Sequence, residues 1–282
     1  MSPEEERAAG WYPDPFARLA FRWWDGSVWT AYSAAADQAV QWDLEPLEEQ
    51  VEVGPGLPGL VAALLGAVGG VALSIAVIVV LDVLDRPGDD TQAMVLSQLG
   101  LWTGLIGACV WVSWRRGTRS IFRDFDFRFR WADLGYGAAG AVAGRLVSAA
   151  FAAPLPVSAR RLRDLDRSAF GDQTPWLVLI LITCVGAPLI EELFFRGLLQ
   201  TRLVGRLGVV PGIAVASVLF GAAHMINWQG VDTFVYAWAI VGGGLVLGVI
   251  RHVTGRLGPA IVAHAIFNGI AMLLIALLGA SG

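Results

Sequence analysis

Two adjacent carboxylates and an arginine, in Glu191-Glu192-Leu193-Phe194-Phe195-Arg196, stand inside an apolar run of this 282-residue chain. Two later apolar runs carry histidines, in Phe220-Gly221-Ala222-Ala223-His224 and His264-Ala265-Ile266-Phe267-Asn268. A charge at bilayer depth costs roughly 2.5–3.5 kcal/mol even on lenient insertion scales, so such residues persist where a function or a partner requires them. Residues four apart share a helix face; Glu192 with Arg196, Phe220 with His224, and His264 with Asn268 have that spacing. Glu191 points about 100° away from Glu192 on a helix of 3.6 residues per turn. Glu192 and Arg196 are therefore expected to form a structural ion pair, leaving Glu191 to face a polar cavity.

The chemistry this set permits is amide hydrolysis. A carboxylate beside a histidine in a low dielectric can take the proton of an attacking water, work open to Glu191 with His224 or His264 as the second base. A histidine and an asparagine one turn apart, His264 and Asn268, can aim N–H groups at the tetrahedral oxygen. Equally, Glu191, His224 and His264 could be three zinc ligands around an open fourth position. The chain has no His-Glu-x-x-His, no Gly-x-Ser-x-Gly and no Gly-x-Gly-Asp, which disfavours proteolysis by those routes. The bland reading is a self-neutralising cluster with His264 and Asn268 as interhelical glue. Arg196, however, can neutralise only one of the two carboxylates.

The elements that must position these residues are membrane helices. Hydrophobic residues make up 56% of the chain and charged ones 16%, against about 25% charged in a soluble domain. Mean hydropathy is +0.60. The expected class is an all-α polytopic membrane protein with seven or eight transmembrane helices, preceded by a small soluble Trp-rich β-hairpin module. Seven apolar runs, near 60–81, 93–114, 132–153, 175–199, 208–226, 233–250 and 258–279, each approach the ~20 residues a spanning helix needs. The loop 157–174 is open to a further interfacial helix. Four regions follow: a Trp-rich module at 1–45, an acidic Pro/Gly linker at 46–59, N-terminal transmembrane helices at 60–174, and a transmembrane core at 175–279.

Orientation follows from arginine placement, because Arg supplies all 20 basic residues. No cleavable signal is legible at the N-terminus, so that end is expected in the cytosol. Arg115, Arg116, Arg119, Arg123, Arg128 and Arg130, then Arg202 and Arg206, then Arg251 and Arg256 all fall on the same side, as the positive-inside rule requires. Arg160, Arg161, Arg163 and Arg167 fall on the wrong side. At ~1.5 Å per residue, Glu191 lies roughly 8–12 Å from the cytosolic end, His264 about 9 Å, Asn268 about 15 Å and His224 about 21 Å. A break at Pro211-Gly212 would bring His224 level with the rest. The two cysteines, Cys109 and Cys184, sit in separate apolar runs and indicate no disulfide framework.

Five of the 12 tryptophans lie in the first 42 residues, in Gly10-Trp11-Tyr12-Pro13-Asp14-Pro15, Arg22-Trp23-Trp24-Asp25-Gly26, Trp29 and Trp42. Asp25-Gly26 between aromatic runs is a hairpin signal, since Gly supplies the positive φ of the turn. A module of about 40 residues has a very small core, so its tryptophans are expected inside; the competing reading is docking to a peptide or a membrane surface. It resembles the short Trp-rich domain of unknown function found at the ends of bacterial membrane proteins.

Glu-Glu-x-x-x-Arg, Phe-x-x-x-His and His-x-x-x-Asn, in this order on successive helices, resemble the CAAX-processing and bacteriocin-processing family of intramembrane proteases, also called the Abi family. The resemblance covers about residues 175–272. It implies an endopeptidase of a bacterial plasma membrane acting on a membrane-associated protein or peptide, metallo- or glutamate-dependent. In it Glu191 and His224 activate water, His264 and Asn268 bind the oxyanion, and Glu192, Arg196 and Phe220 support them. The alternatives are a non-enzymatic scaffold or immunity protein, or an ion-coupled transporter, for which no internal repeat is visible. Nothing basic and exposed suggests nucleic acid.

Overall fold

The computed structural model describes residues 10–14, 20–24, 29–34, 41–42, 57–83, 90–155, 175–225 and 231–279. The chain divides into two compact units, Met1–Glu52 and Val53–Gly282.

The first unit is an antiparallel meander of four strands in sequence order: β1 (Gly10–Pro13), β2 (Phe21–Trp24), β3 (Trp29–Ala34) and β4 (Gln41–Trp42). It extends the expected hairpin by two strands; the turn at Asp25-Gly26 lies outside the described residues. Trp11 sits opposite Trp23 and Pro13 opposite Phe21, so these four share one face, while Tyr12 and Arg22 share the other. The Trp11 and Trp23 rings meet edge to face at 5.5 Å. Among the described residues, the side chains of Arg22 and Asp14 are fully buried against each other, with contacts of 2.9 and 3.3 Å. Trp11 is 39% exposed and Phe21 41%. The expectation that the tryptophans fill the core therefore fails for Trp11: the Arg22–Asp14 pair occupies the covered face, and Trp11 lies across the sheet from it.

The second unit is helical. Helices α1 (Leu57–Val83), α2 (Asp90–Arg116), α4 (Ala132–Ala152), α5 (Trp176–Leu207), α6 (Val209–Ala223), α7 (Val231–Thr254) and α8 (Gly258–Gly279) fall on the seven apolar runs, with a short α3 (Ile121–Asp124) between α2 and α4. Among the described residues, four helices are long and apolar enough to cross a membrane: α1, α2 from Thr91, α5 and α7. The apolar stretches of α6 and α8 are shorter. Large apolar side chains stand out along them, such as Leu64, Leu65, Ile75 and Val83 on α1. In water such a surface would be unfavourable, whereas lipid covers it without cost. The chain is an integral membrane protein. The loop 157–174, with its four arginines, and the linker 46–56 lie outside the described residues.

Close helix approach depends on missing side chains. Gly104 of α2 lies on the backbone of Gly66 and Gly70 of α1, where a Cβ would collide with main chain. Gly242-Gly243-Gly244 on α7 behave as expected of small residues in membranes. A Cβ on Gly242 would come 3.0 Å from the Val147 carbonyl of α4, and one on Gly244 3.3 Å from the Arg196 guanidinium of α5.

The break between α5 and α6 falls at Gly208, whose φ of 85° suits glycine, and not at Pro211-Gly212. Pro211 sits in the first turn of α6, where its missing N–H leaves no helical bond unmade. Helix α6 has 15 residues and ends at Ala223, earlier than the run suggested. His224 follows as its C-cap.

One end of the helical unit gathers the arginine loops. Arg251 in the last turn of α7 bonds Asp126 at 3.1 Å, and Leu257 N–H donates to the Asp126 carbonyl at 3.0 Å. Arg256 grips Asp133 at the start of α4, and this hydrogen bond raises the Arg256 pKa above its ordinary value. A Cβ on Gly59, at the start of α1, would lie 3.0 Å from Arg202 at the end of α5. The loops assigned to one side by charge alone are thus neighbours.

Candidate active site

Glu191 and Glu192 lie on α5 between two π-helical stretches, Leu181–Gly186 and Leu193–Gln200. Such wide turns concentrate at functional sites because they free backbone groups and re-aim side chains. The first one does so at a definable atom. Ala187 N–H donates to the Ile182 carbonyl, five residues back. The next donor in that pattern is Pro188, which has no N–H. Thr183 therefore keeps its carbonyl free of the helix ladder, and Asn268 Nδ2 of α8 donates to it at 2.8 Å. An amide nitrogen carries two hydrogens, so one N–H of Asn268 is fixed to α5 and the second remains.

Glu192 is fully buried and holds two partners with one oxygen. His264 Nδ1 lies 2.9 Å from Glu192 Oε1, and Arg196 Nη1 lies 3.2 Å from the same atom. A carboxylate only accepts, so the His264 Nδ1–H donates and its Nε2 is left for other work. The other oxygen, Glu192 Oε2, is buried with no hydrogen-bond partner among the described residues. Arg196 is also buried; its Nη2 donates to the Gly244 carbonyl at 3.2 Å, and its guanidinium lies 4.2 Å from the Phe220 ring centre. Four residues on, Gln200 Nε2 donates to the Gly248 carbonyl at 2.9 Å. Glu192, Arg196 and Gln200 thus form a stripe along α5, and its last two members dock on carbonyls one turn apart on α7.

Phe220 joins the histidines. Its ring centre is 5.0 Å from that of His224 and 5.7 Å from that of His264. His224 Nδ1 lies 2.8 Å from the Phe220 carbonyl oxygen, so this nitrogen carries the hydrogen and Nε2 is the free one. Glu191 is half-buried, and its charge acts on Arg196; it makes no hydrogen bond or ion pair with another described residue.

The three motifs therefore converge through named contacts: Glu192 with Arg196, Glu192 with His264, Arg196 with Phe220, and Phe220 with both histidines. The expected Glu192–Arg196 pair is present, but it also holds His264, a link that helical spacing within one segment does not reveal. No group of three or more His, Cys, Asp or Glu side chains among the described residues is placed to hold a metal ion, Glu191, His224 and His264 included. The physical reason is the arrangement: His264 turns to Glu192, His224 turns to its own helix, and the Arg196 cation stands between the motifs.

Sequence reasoning missed three positioning groups. Thr183 and Pro188 act through the backbone, and no side-chain signal marks them. Gln200 continues the four-residue spacing of Glu192 and Arg196, and that signal was available. Arg145, a charge in the apolar run of α4, was visible but had no partner to assign. It donates to the Phe267 carbonyl and lies 3.9 Å from the Phe267 ring centre, bracing the turn of α8 that bears His264 and Asn268.

Apolar helices long enough to span a bilayer, around a buried acid, histidine and arginine, define an integral membrane protein with a buried polar cluster. Residues 173–270, about a third of the chain, match the family model described as type II CAAX prenyl endopeptidase Rce1-like. The family implies proteolysis within a membrane. Residues 9–42 match a domain of unknown function, DUF2510. No curated protein and no solved structure matches the chain.

Proposed function

We propose that the protein is a glutamate-dependent intramembrane endopeptidase that cleaves a peptide bond of a membrane-associated protein or peptide. The observation that carries this reading is the fully buried Glu192–His264 contact at 2.9 Å beside Arg196, which ties two of the three motifs into one cluster. In this mechanism Glu191 takes a proton from water, helped by the free Nε2 of His224, and the hydroxide attacks the scissile carbonyl. The developing oxyanion is received by the second N–H of Asn268 and by His264. Glu192 accepts the His264 Nδ1–H and orients the ring, and in the imidazolium form His264 Nε2 donates its hydrogen to the oxyanion. Collapse of the tetrahedral species breaks the C–N bond, and Glu191 passes its proton to the leaving amine.

No step is routed through a metal, because the donor set does not fit one. The N-terminal unit lies in the cytosol, and the site opens toward that leaflet; the arginine loops gathered at one end support this orientation. The test is a library of membrane-associated peptides incubated with purified protein in lipid and read by mass spectrometry, with Glu191→Ala as control. The reading expects defined new termini with the wild type and none with the variant. Equal cleavage by both would sink it.

A further inference from the structure

We infer that residues 114–131, the last turn of α2 and the connection to α4, form a binding surface for the anionic headgroups of membrane phospholipids. Six arginines in this stretch, Arg115, Arg116, Arg119, Arg123, Arg128 and Arg130, are all exposed. Four large aromatics are exposed among them: Trp114 at 59%, Phe122 at 59%, Phe129 at 51% and Trp131 at 90%. The nearby acids are turned to internal bonds. Asp124 accepts from Ser113 and from the Thr118 N–H and hydroxyl, Asp126 pairs with Arg128 and Arg251, and Asp133 is held by Arg256 and the Arg130 N–H. What the stretch offers its surroundings is therefore cationic and aromatic.

Its place makes a lipid surface the partner of choice. It leaves α2 at Arg116, the end of a candidate span, so it lies at the level where headgroups begin. Aromatic rings favour that layer, and each basic residue near an anionic surface adds about 1 kcal/mol of attraction. The stretch is also built rather than loose. Phe125 is buried as an anchor, and Arg119 and Asp126 hold positive φ values of 65° and 52°, a shape that exposed side chains alone would not maintain. Phe125 packs where a Cβ on Gly197 of α5 would come 3.1 Å from it. Headgroup binding here should therefore be felt as stability of the helical unit. None of this depends on the proposed proteolysis.

The test uses the full chain in an uncharged detergent, titrated with phosphatidylglycerol or with phosphatidylcholine, and reads the unfolding midpoint. Phosphatidylglycerol should raise the midpoint by roughly 5 °C, and phosphatidylcholine by far less. In an R115Q/R119Q/R130Q protein the difference between the two lipids should at least halve, and 1 M salt should weaken it in the wild type. R115K/R119K/R130K, which keeps the charge, should retain it. Should the triple glutamine variant not fold, Arg130→Gln alone should still trim the shift. Equal shifts with both lipids, or an undiminished preference in the glutamine variants, would overturn the inference. So would an equal rise with inorganic phosphate, which would assign the site to a free anion and not to a lipid.

Discussion

In the helical unit, the buried charges around Asp133 and those around Glu192 are finished to different degrees. At the end of the bundle, Asp133 is paired on both oxygens, by Arg256 and by the Arg130 N–H. Within the bundle, Glu192 crowds His264 and Arg196 onto one oxygen and leaves the other buried without a partner among the described residues. A buried polar atom without a hydrogen bond is costly, and native proteins keep few of them. The Asp133 cluster has the pattern expected of a fastening, satisfied and placed where loops meet. The Glu192 cluster has the pattern of a site, with capacity left over and two histidines presenting a free nitrogen. Both clusters are buried and charged, so what sets them apart is completeness around the carboxylate; an unpartnered buried atom is not enough by itself, as Arg251 Nε at the fastened end shows.

Substitutions can break or sharpen this contrast. The largest effect is expected from Glu191→Ala and His224→Ala, which should lower peptide cleavage by about 10²–10⁴-fold with the protein still inserted and folded, as removal of a general base does. Glu192→Gln should come next. Peptide cleavage per folded molecule should fall about 100-fold, because His264 loses the carboxylate that orients its ring. The same change leaves Arg196 buried without its counter-ion and should cost roughly 3–5 kcal/mol in a denaturation experiment. Pro188→Ala is a finer cut. It gives residue 188 an N–H that can claim the Thr183 carbonyl, so Asn268 loses its fixed partner. Cleavage should drop about tenfold, equivalent to about 1.4 kcal/mol of transition-state stabilisation, with KM little changed. The smallest effect on chemistry should come from Asp133→Asn. It should lower the unfolding midpoint by several degrees, for about 1.5–3 kcal/mol, and leave kcat of the folded protein near that of the wild type. Incubation with a strong chelator should likewise leave cleavage unchanged, since no described side-chain trio is placed to hold a metal ion.

The sequence was most informative where one physical rule dominates. Apolar runs of about 20 residues report helices in lipid, and α1, α2, α4, α5, α6, α7 and α8 lie on the seven runs. Arginine placement grouped loops that the structure places side by side, as Arg251 with Asp126 and Arg256 with Asp133 show. It was least informative where contacts join different helices. Four-residue spacing revealed Glu192 with Arg196, but the Glu192–His264 bond spans 72 positions and no local pattern encodes it. The π-helical turns were also illegible, because four-residue spacing presumes regular α turns. Without them the meaning of Pro188 beside a free Thr183 carbonyl cannot be read. In the N-terminal module the rule that aromatics go inside misplaced Trp11, since a buried Arg22–Asp14 pair had taken the covered face.

The central claim is that Glu192 and His264 serve chemistry while Asp133 and Arg256 serve structure. The most direct test compares purified Glu192→Gln and Asp133→Asn in the same lipid, measuring peptide cleavage and unfolding midpoint on each preparation. The account predicts that cleavage per folded molecule collapses in Glu192→Gln and survives in Asp133→Asn. If instead both variants lose cleavage only in proportion to their lost stability, the Glu192 cluster is a fastening like the other, and the account is contradicted.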